Sequence, residues 1–130
     1  MNGSVQTRRS RLLIVEDEST LGDILVRYFE ARDMEVERAA SLAEAREHLA
    51  RQTFDAFLLD VSLPDGDGLS LLGRAPVEKT LVITAQPNPA RFESLGVRHF
   101  SKPFDVPELA LAVDQLITGE DATAGELQHA

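Results

Sequence analysis

Four short apolar runs, each closing on a polar residue, constrain this chain more than any other feature. Leu12-Leu13-Ile14-Val15 runs into Glu16-Asp17-Glu18, and Ala56-Phe57-Leu58-Leu59 runs into Asp60. Leu81-Val82-Ile83 runs into Thr84, and Val97 to Ser101 leads into Lys102-Pro103. Runs this short, without alternation, suit strands buried on both faces, as in a parallel sheet covered on each side. Met34 and Val36 alternate instead with Glu35 and Glu37, which predicts a half-exposed edge strand. Between the strands the apolar period changes to that of a helix. Leu21, Ile24, Leu25, Tyr28 and Phe29 predict a helix over 19–32. Ser41 to Glu44 and Asp105 to Glu108 have capping-box spacing and each opens a helix, the second with Pro107 in its first turn. Two connections are poorer. The turn-rich stretch Leu63 to Gly68 precedes only a short helix with Leu69, Leu71 and Leu72. After Pro87 and Pro89, residues 90–95 have room for about a turn of helix.

Strands alternating with helices predict an α/β fold with right-handed crossovers. The expected form is a flavodoxin-like (βα)5 three-layer sandwich. Its five-stranded parallel sheet would run in the order 2-1-3-4-5, with shortened third and fourth helices. The domain would occupy 11–118, with a flexible arm over 1–10 and a flexible acidic tail over 119–130, neither of which has periodicity. The absence of cysteine excludes disulfides, thiol catalysis and zinc–thiolate sites. A net charge of −9, from 13 basic and 22 acidic residues, argues against nucleic acid or an anionic membrane as the partner. No apolar run approaches the ~20 residues of a membrane span. The first eleven residues lack the apolar stretch of a secretory signal, so the expected location is the cytoplasm.

Ligands of open α/β sheets bind beyond the carboxyl ends of the strands, where the strand order reverses. That rule alone would gather Glu16, Asp17, Asp60, Thr84 and Lys102 around one cleft. Carboxylates ~5 Å apart repel by ~3 kcal/mol per pair at an effective dielectric of ~20. Such a cluster raises its pKa values or recruits a hard cation. Mg2+ is expected, with Mn2+ as the alternative. Asp17 and Asp60 would ligate it directly, Glu16 through water, and Ser62 through its backbone carbonyl. A carboxylate oxygen of Asp60 could then attack phosphorus and form an aspartyl phosphate. Lys102 would neutralise the phosphoryl oxygens, and the Thr84 hydroxyl and the amides near Ser62 and Ala85 would donate hydrogen bonds. Plainer readings stand beside these. Glu16 to Glu18 could be a solvated helix N-terminus, and Thr is a common strand residue. Lys102 is more telling, being one of two lysines against eleven arginines.

The segments LLIVEDE (12–18), FLLDVSLPDGDGL (57–69), LVITA (81–85) and HFSKPF (99–104) carry a family resemblance. The chain resembles the response-regulator receiver domain of bacterial two-component signalling, in its stand-alone form. The resemblance implies that Asp60 is the phosphoacceptor, Glu16 and Asp17 the acidic pair, Thr84 the switch hydroxyl and Lys102 the essential lysine. It implies a cis peptide at Lys102-Pro103. It also implies a histidine kinase or phosphotransfer protein as phosphoryl donor, and no catalysis beyond self-phosphorylation and dephosphorylation. The family's switch aromatic falls on His99, and Phe100 should point inward by strand alternation. Ser62 and Gln86, two residues after Asp60 and Thr84, would flank an attacking water and tune the lifetime of the phosphate. Residues 119–130 are too few for an effector domain, so output would pass to a downstream protein or to a phosphorylation-dependent homodimer. Two alternatives are a receiver-like interaction module that is never phosphorylated, and a haloacid-dehalogenase-type phosphohydrolase. The latter wants an acid where Ser62 stands.

Overall fold

The computed structural model describes residues 8–119. Its main sheet contains β1 (Arg11–Val15), β2 (Glu35–Ala39), β3 (Ala56–Asp60), β6 (Thr80–Thr84) and β7 (Arg98–Ser101). A short hairpin, β4 (Ser62–Leu63) against β5 (Gly66–Asp67), stands apart. The main sheet runs β2-β1-β3-β6-β7, and every pairing in it is parallel. Counted among its own five strands, this is the expected 2-1-3-4-5 order, with the reversal between β1 and β3.

Helices α1 (Ser19–Ala31) and α4 (Val106–Thr118) cover one face, over Leu12, Ile14, Leu58, Leu81 and Ile83. The opposite face turns Leu13, Val15, Phe57 and Leu59 toward α2 (Leu42–Arg51) and Val82 toward α3 (Pro89–Leu95). Both sides of β1, β3 and β6 are therefore dry, which is why these strands read as unbroken apolar runs. At the edge, Glu35 and Glu37 of β2 are exposed while Val36 packs against the α1 side, as its alternation predicts.

The helix ends follow their capping residues. Ser41 accepts the Glu44 amide, and Asp105 accepts that of Glu108. Gly119, at φ 74°, closes α4 in the left-handed region. Asn88 caps α3 with Pro89 in its first turn, so this proline opens the helix that it also keeps short. α3 has seven residues, and the third connection has no α-helix, only 3-10 turns at Gly68–Leu71 and Val77–Lys79. Leu63, Leu69, Leu71 and Ala75 still pack on the sheet there, so apolar side chains cover what a helix would have covered.

Most of the expected arm and tail lies outside the described residues. Arg8 reaches Asp55 with two 3.1 Å hydrogen bonds, and Asp55 also accepts the Arg11 amide at 2.8 Å. The Arg8 guanidinium holds the Asp55 carboxyl below the usual carboxylate range. Asp55 therefore contributes stability above its unfolded pKa of ~3.9, and loses it as pH falls through the lower folded value. Thermal melts should show Asp55→Ala below wild type at neutral pH, with the gap closing below about pH 4. A gap that stays constant into acid would show that the charge of Asp55 contributes nothing.

Candidate functional site

β1 and β3 end side by side at the reversal point. Glu16 follows β1 directly, is fully buried, and donates its amide to the Ala39 carbonyl at 3.0 Å. Asp60 is the last residue of β3 and is 4% exposed. Asp17 is solvent-facing. One carboxylate oxygen from each of the three lies within 4.8 Å of the others. Lys102 arrives from the end of β7, its amide bonded to the Thr84 carbonyl at 2.7 Å and its peptide to Pro103 cis, as the resemblance implies. Its Nζ stands 2.9 Å from Glu16 Oε1 and 3.2 Å from Asp60 Oδ2.

Glu16 and Asp60 thus face one ammonium, with the Asp17 carboxylate beside them. Burial pushes the Glu16 carboxyl above its ordinary value and the nearby Asp60 adds to this, while Lys102 and the Glu18 amide pull it back. Burial alone would lower Lys102, but Glu16 and Asp60 hold its ammonium above the usual lysine range. Glu16 Oε2 accepts the Glu18 amide at 3.0 Å. Glu16 Oε1 is buried, with the Lys102 ammonium at 2.9 Å as its charge partner. Three clustered carboxylates against a single ammonium leave an excess of negative charge, which suits a hard divalent cation. The residues fit the Mg2+ read from the sequence.

The hairpin shapes the other wall. The Ser62 amide donates to Asp60 Oδ1 at 3.2 Å, and the Gly68 amide to the Val61 carbonyl at 2.7 Å. A Cβ on Gly68 would sit 1.9 Å from the Asp60 carbonyl oxygen, so only glycine lets the chain return this closely. Asp65 accepts the Leu42 and Ala43 amides at the start of α2, and Asp67 accepts the Leu69 amide and holds Arg91 of α3 at 2.6 Å. Both are turn residues outside the acidic trio.

Thr84 closes β6 with its hydroxyl oxygen accepting the Gln86 amide at 3.0 Å, a local bond rather than one to Asp60. His99 and Phe100 lie on opposite faces of β7. His99 packs on Phe92 of α3, with ring centroids 4.7 Å apart, whereas Phe100 joins the α1–α4 core. The sequence reading missed Arg38, which donates twice to the Glu16 carbonyl. Its signal was a charged residue two positions after Val36, in a slot that alternation gives to an apolar side chain. Beside the cleft, Leu21, Ile24, Pro103, Phe104 and Val106 line an open apolar groove.

Comparison with known proteins agrees with this geometry. Residues 12–114 match the model of the response regulator receiver domain. The swarming motility regulation protein RssB of Serratia marcescens is 38% identical over 109 residues, which make up 75% of this chain and 48% of that protein. The transcriptional regulatory protein SrrA of Staphylococcus aureus is 28% identical over 124 residues, 90% of this chain and 52% of that protein. The chain spans about half the length of these curated relatives. Among solved structures, the non-phosphorylated HemR receiver domain from Leptospira biflexa superposes with a TM-score of 0.74 at 32% identity, covering 84% of this chain and 94% of that one. A sheet reversing between two acid-tipped strands is matched here by a family model spanning nearly all the described residues, and the chain belongs to the response regulator receiver domain family.

Proposed function

We propose that Asp60 accepts a phosphoryl group from a histidine kinase or phosphotransfer protein, with Mg2+ in the acidic cleft. Phosphorylation would then change the contacts of the chain with a downstream protein or with a second copy. Receiver domains are signalling modules rather than conventional enzymes. The observation that carries this reading is the Asp60 carboxylate itself. It is shielded from water, faces Lys102 at 3.2 Å, and shares its cleft with Glu16 and Asp17.

In the transfer, a carboxylate oxygen of Asp60 would attack phosphorus. The new P–O bond forms as the P–N bond of a phosphohistidine breaks, and the imidazole leaves with that electron pair. The Ser62 amide orients Asp60 by holding Oδ1, and Lys102 offers its ammonium to the arriving oxygens. Asp17 and Asp60, Glu16 through water, and the Ser62 carbonyl would hold Mg2+, which when bound neutralises charge on the transferring group. The Thr84 hydroxyl would donate to a phosphoryl oxygen, drawing with it the loop that carries Gln86. The contact of His99 with Phe92 gives that movement a route to α3. The apolar groove along α1 offers a protein donor a place to rest beside the cleft. The net charge of −9 favours a protein partner over nucleic acid.

Beryllofluoride with Mg2+ should bind and raise the melting temperature of the wild type. No shift would favour the interaction module that is never phosphorylated. The exposed Ser62 and Gln86 flank the path of an attacking water. Dephosphorylation rates of Ser62→Ala and Gln86→Ala should therefore differ from wild type, and unchanged rates in both would remove them from that role.

A further inference from the structure

Arg38 lies on β2 with the same facing as Val36, toward α1, and its side chain is 22% exposed. Its Nε and Nη2 donate to the Glu16 carbonyl oxygen at 3.1 and 2.8 Å, while Nη1 stands 3.9 Å from Asp23. The guanidinium passes over Gly22 of α1, where a Cβ would come within 2.3 Å of Arg38 Nε and 2.5 Å of Cζ. The accepted carbonyl belongs to the peptide that joins Glu16 to Asp17. Its orientation sets the direction in which the exposed Asp17 side chain leaves the backbone. On the other side of Glu16, the amide is bonded to Ala39 of the same strand. The acidic loop is thus strapped to β2 at both ends of one residue, and Gly22 leaves room for the strap.

We propose that Arg38 is a positioning residue: through the Glu16–Asp17 peptide it presets the acidic pair for the cation, with Gly22 as its necessary gap. This rests on the phosphoacceptor reading above. A guanidinium suits the task because its fork places two donors on one oxygen, which an ammonium cannot do in fixed geometry. Removing it leaves a partly buried carbonyl unpaired, and the peptide then turns to find water.

The test is the Mg2+ dissociation constant of the full chain by titration calorimetry, with circular dichroism to confirm folding. Arg38→Ala is expected to weaken Mg2+ by about 10-fold or more, as loss of an outer support commonly does. Gly22→Ala should do the same by displacing the guanidinium, and Arg38→Lys should fall between. At saturating Mg2+, acetyl phosphate labelling of Arg38→Ala should return to the wild-type rate, since the defect lies in cation binding. If Arg38→Ala does not fold, Gly22→Ala and Arg38→Lys carry the measurement. Folded variants that bind Mg2+ within about twofold of wild type would overturn the inference, against the loss expected for an outer support. A labelling defect that persists at saturating Mg2+ would overturn it too. A wild type that takes up no Mg2+ would overturn the phosphoacceptor reading itself, and this inference with it.

Discussion

Lys102→Met is expected to lose about 3–5 kcal/mol of folding stability at neutral pH, the usual cost of stripping one partner from a buried ionic cluster. The ammonium stands 2.9 Å from a carboxylate with no exposure and 3.2 Å from one whose side chain is 6% exposed. Methionine fills much of the same volume but leaves both acids without a counter-charge, and Asp17 adds a third negative group nearby. Labelling with acetyl phosphate should also fall steeply, because the ammonium that meets the incoming phosphoryl oxygens is gone. Urea melts of wild type and variant measure the first effect directly. A variant within about 1 kcal/mol of wild type would place the pair among surface ion pairs of small value, and would deny Lys102 the role given to it here.

Gly68→Ala is expected to be nearly as costly, and for a different reason. The added carbon would meet the Asp60 carbonyl oxygen at 1.9 Å and the carbonyl carbon at 3.0 Å, both backbone atoms that cannot rotate away. Either the hairpin or the end of β3 must move, at about 3 kcal/mol or more, the upper range for overpacking a tight site. The shift falls on the residue that carries the reactive carboxylate. Labelling should therefore slow together with the loss of stability. An alanine variant as stable and as readily labelled as wild type would contradict the close return of the chain at this point.

The sheet was legible because its central strands are dry on both faces. Leu12 to Val15 and Ala56 to Leu59 leave no polar position to confuse strand with loop, and each ends on the polar group it presents to the cleft. The acidic trio and Lys102 were legible for the same reason, since the fold brings the strand ends together whatever lies between. The third connection was harder. Pro64 to Gly68 is compatible with a turn or a helix start, and its outcome depends on distant partners: Asp65 capping α2, and Asp67 gripping Arg91. Nothing local separates Gly66 from Gly68, yet only Gly68 meets the Asp60 backbone. Arg38 did break the alternation of β2. An edge strand tolerates charge, however, so its contact with Glu16 could be found only in three dimensions.

The central claim is that Asp60 takes up phosphorus under the direction of the acids and the lysine around it. Intact-mass and peptide-level mass spectrometry after incubation with acetyl phosphate, with and without Mg2+, tests it most directly. The account predicts one added phosphoryl group on the wild type, dependent on Mg2+, mapped to Asp60 and absent from Asp60→Asn. That variant should stay folded and be at least as stable as wild type, because one carboxylate has left a crowded cluster. A wild type that gains no mass, or an Asp60→Asn protein that is labelled just as fully, would contradict the account.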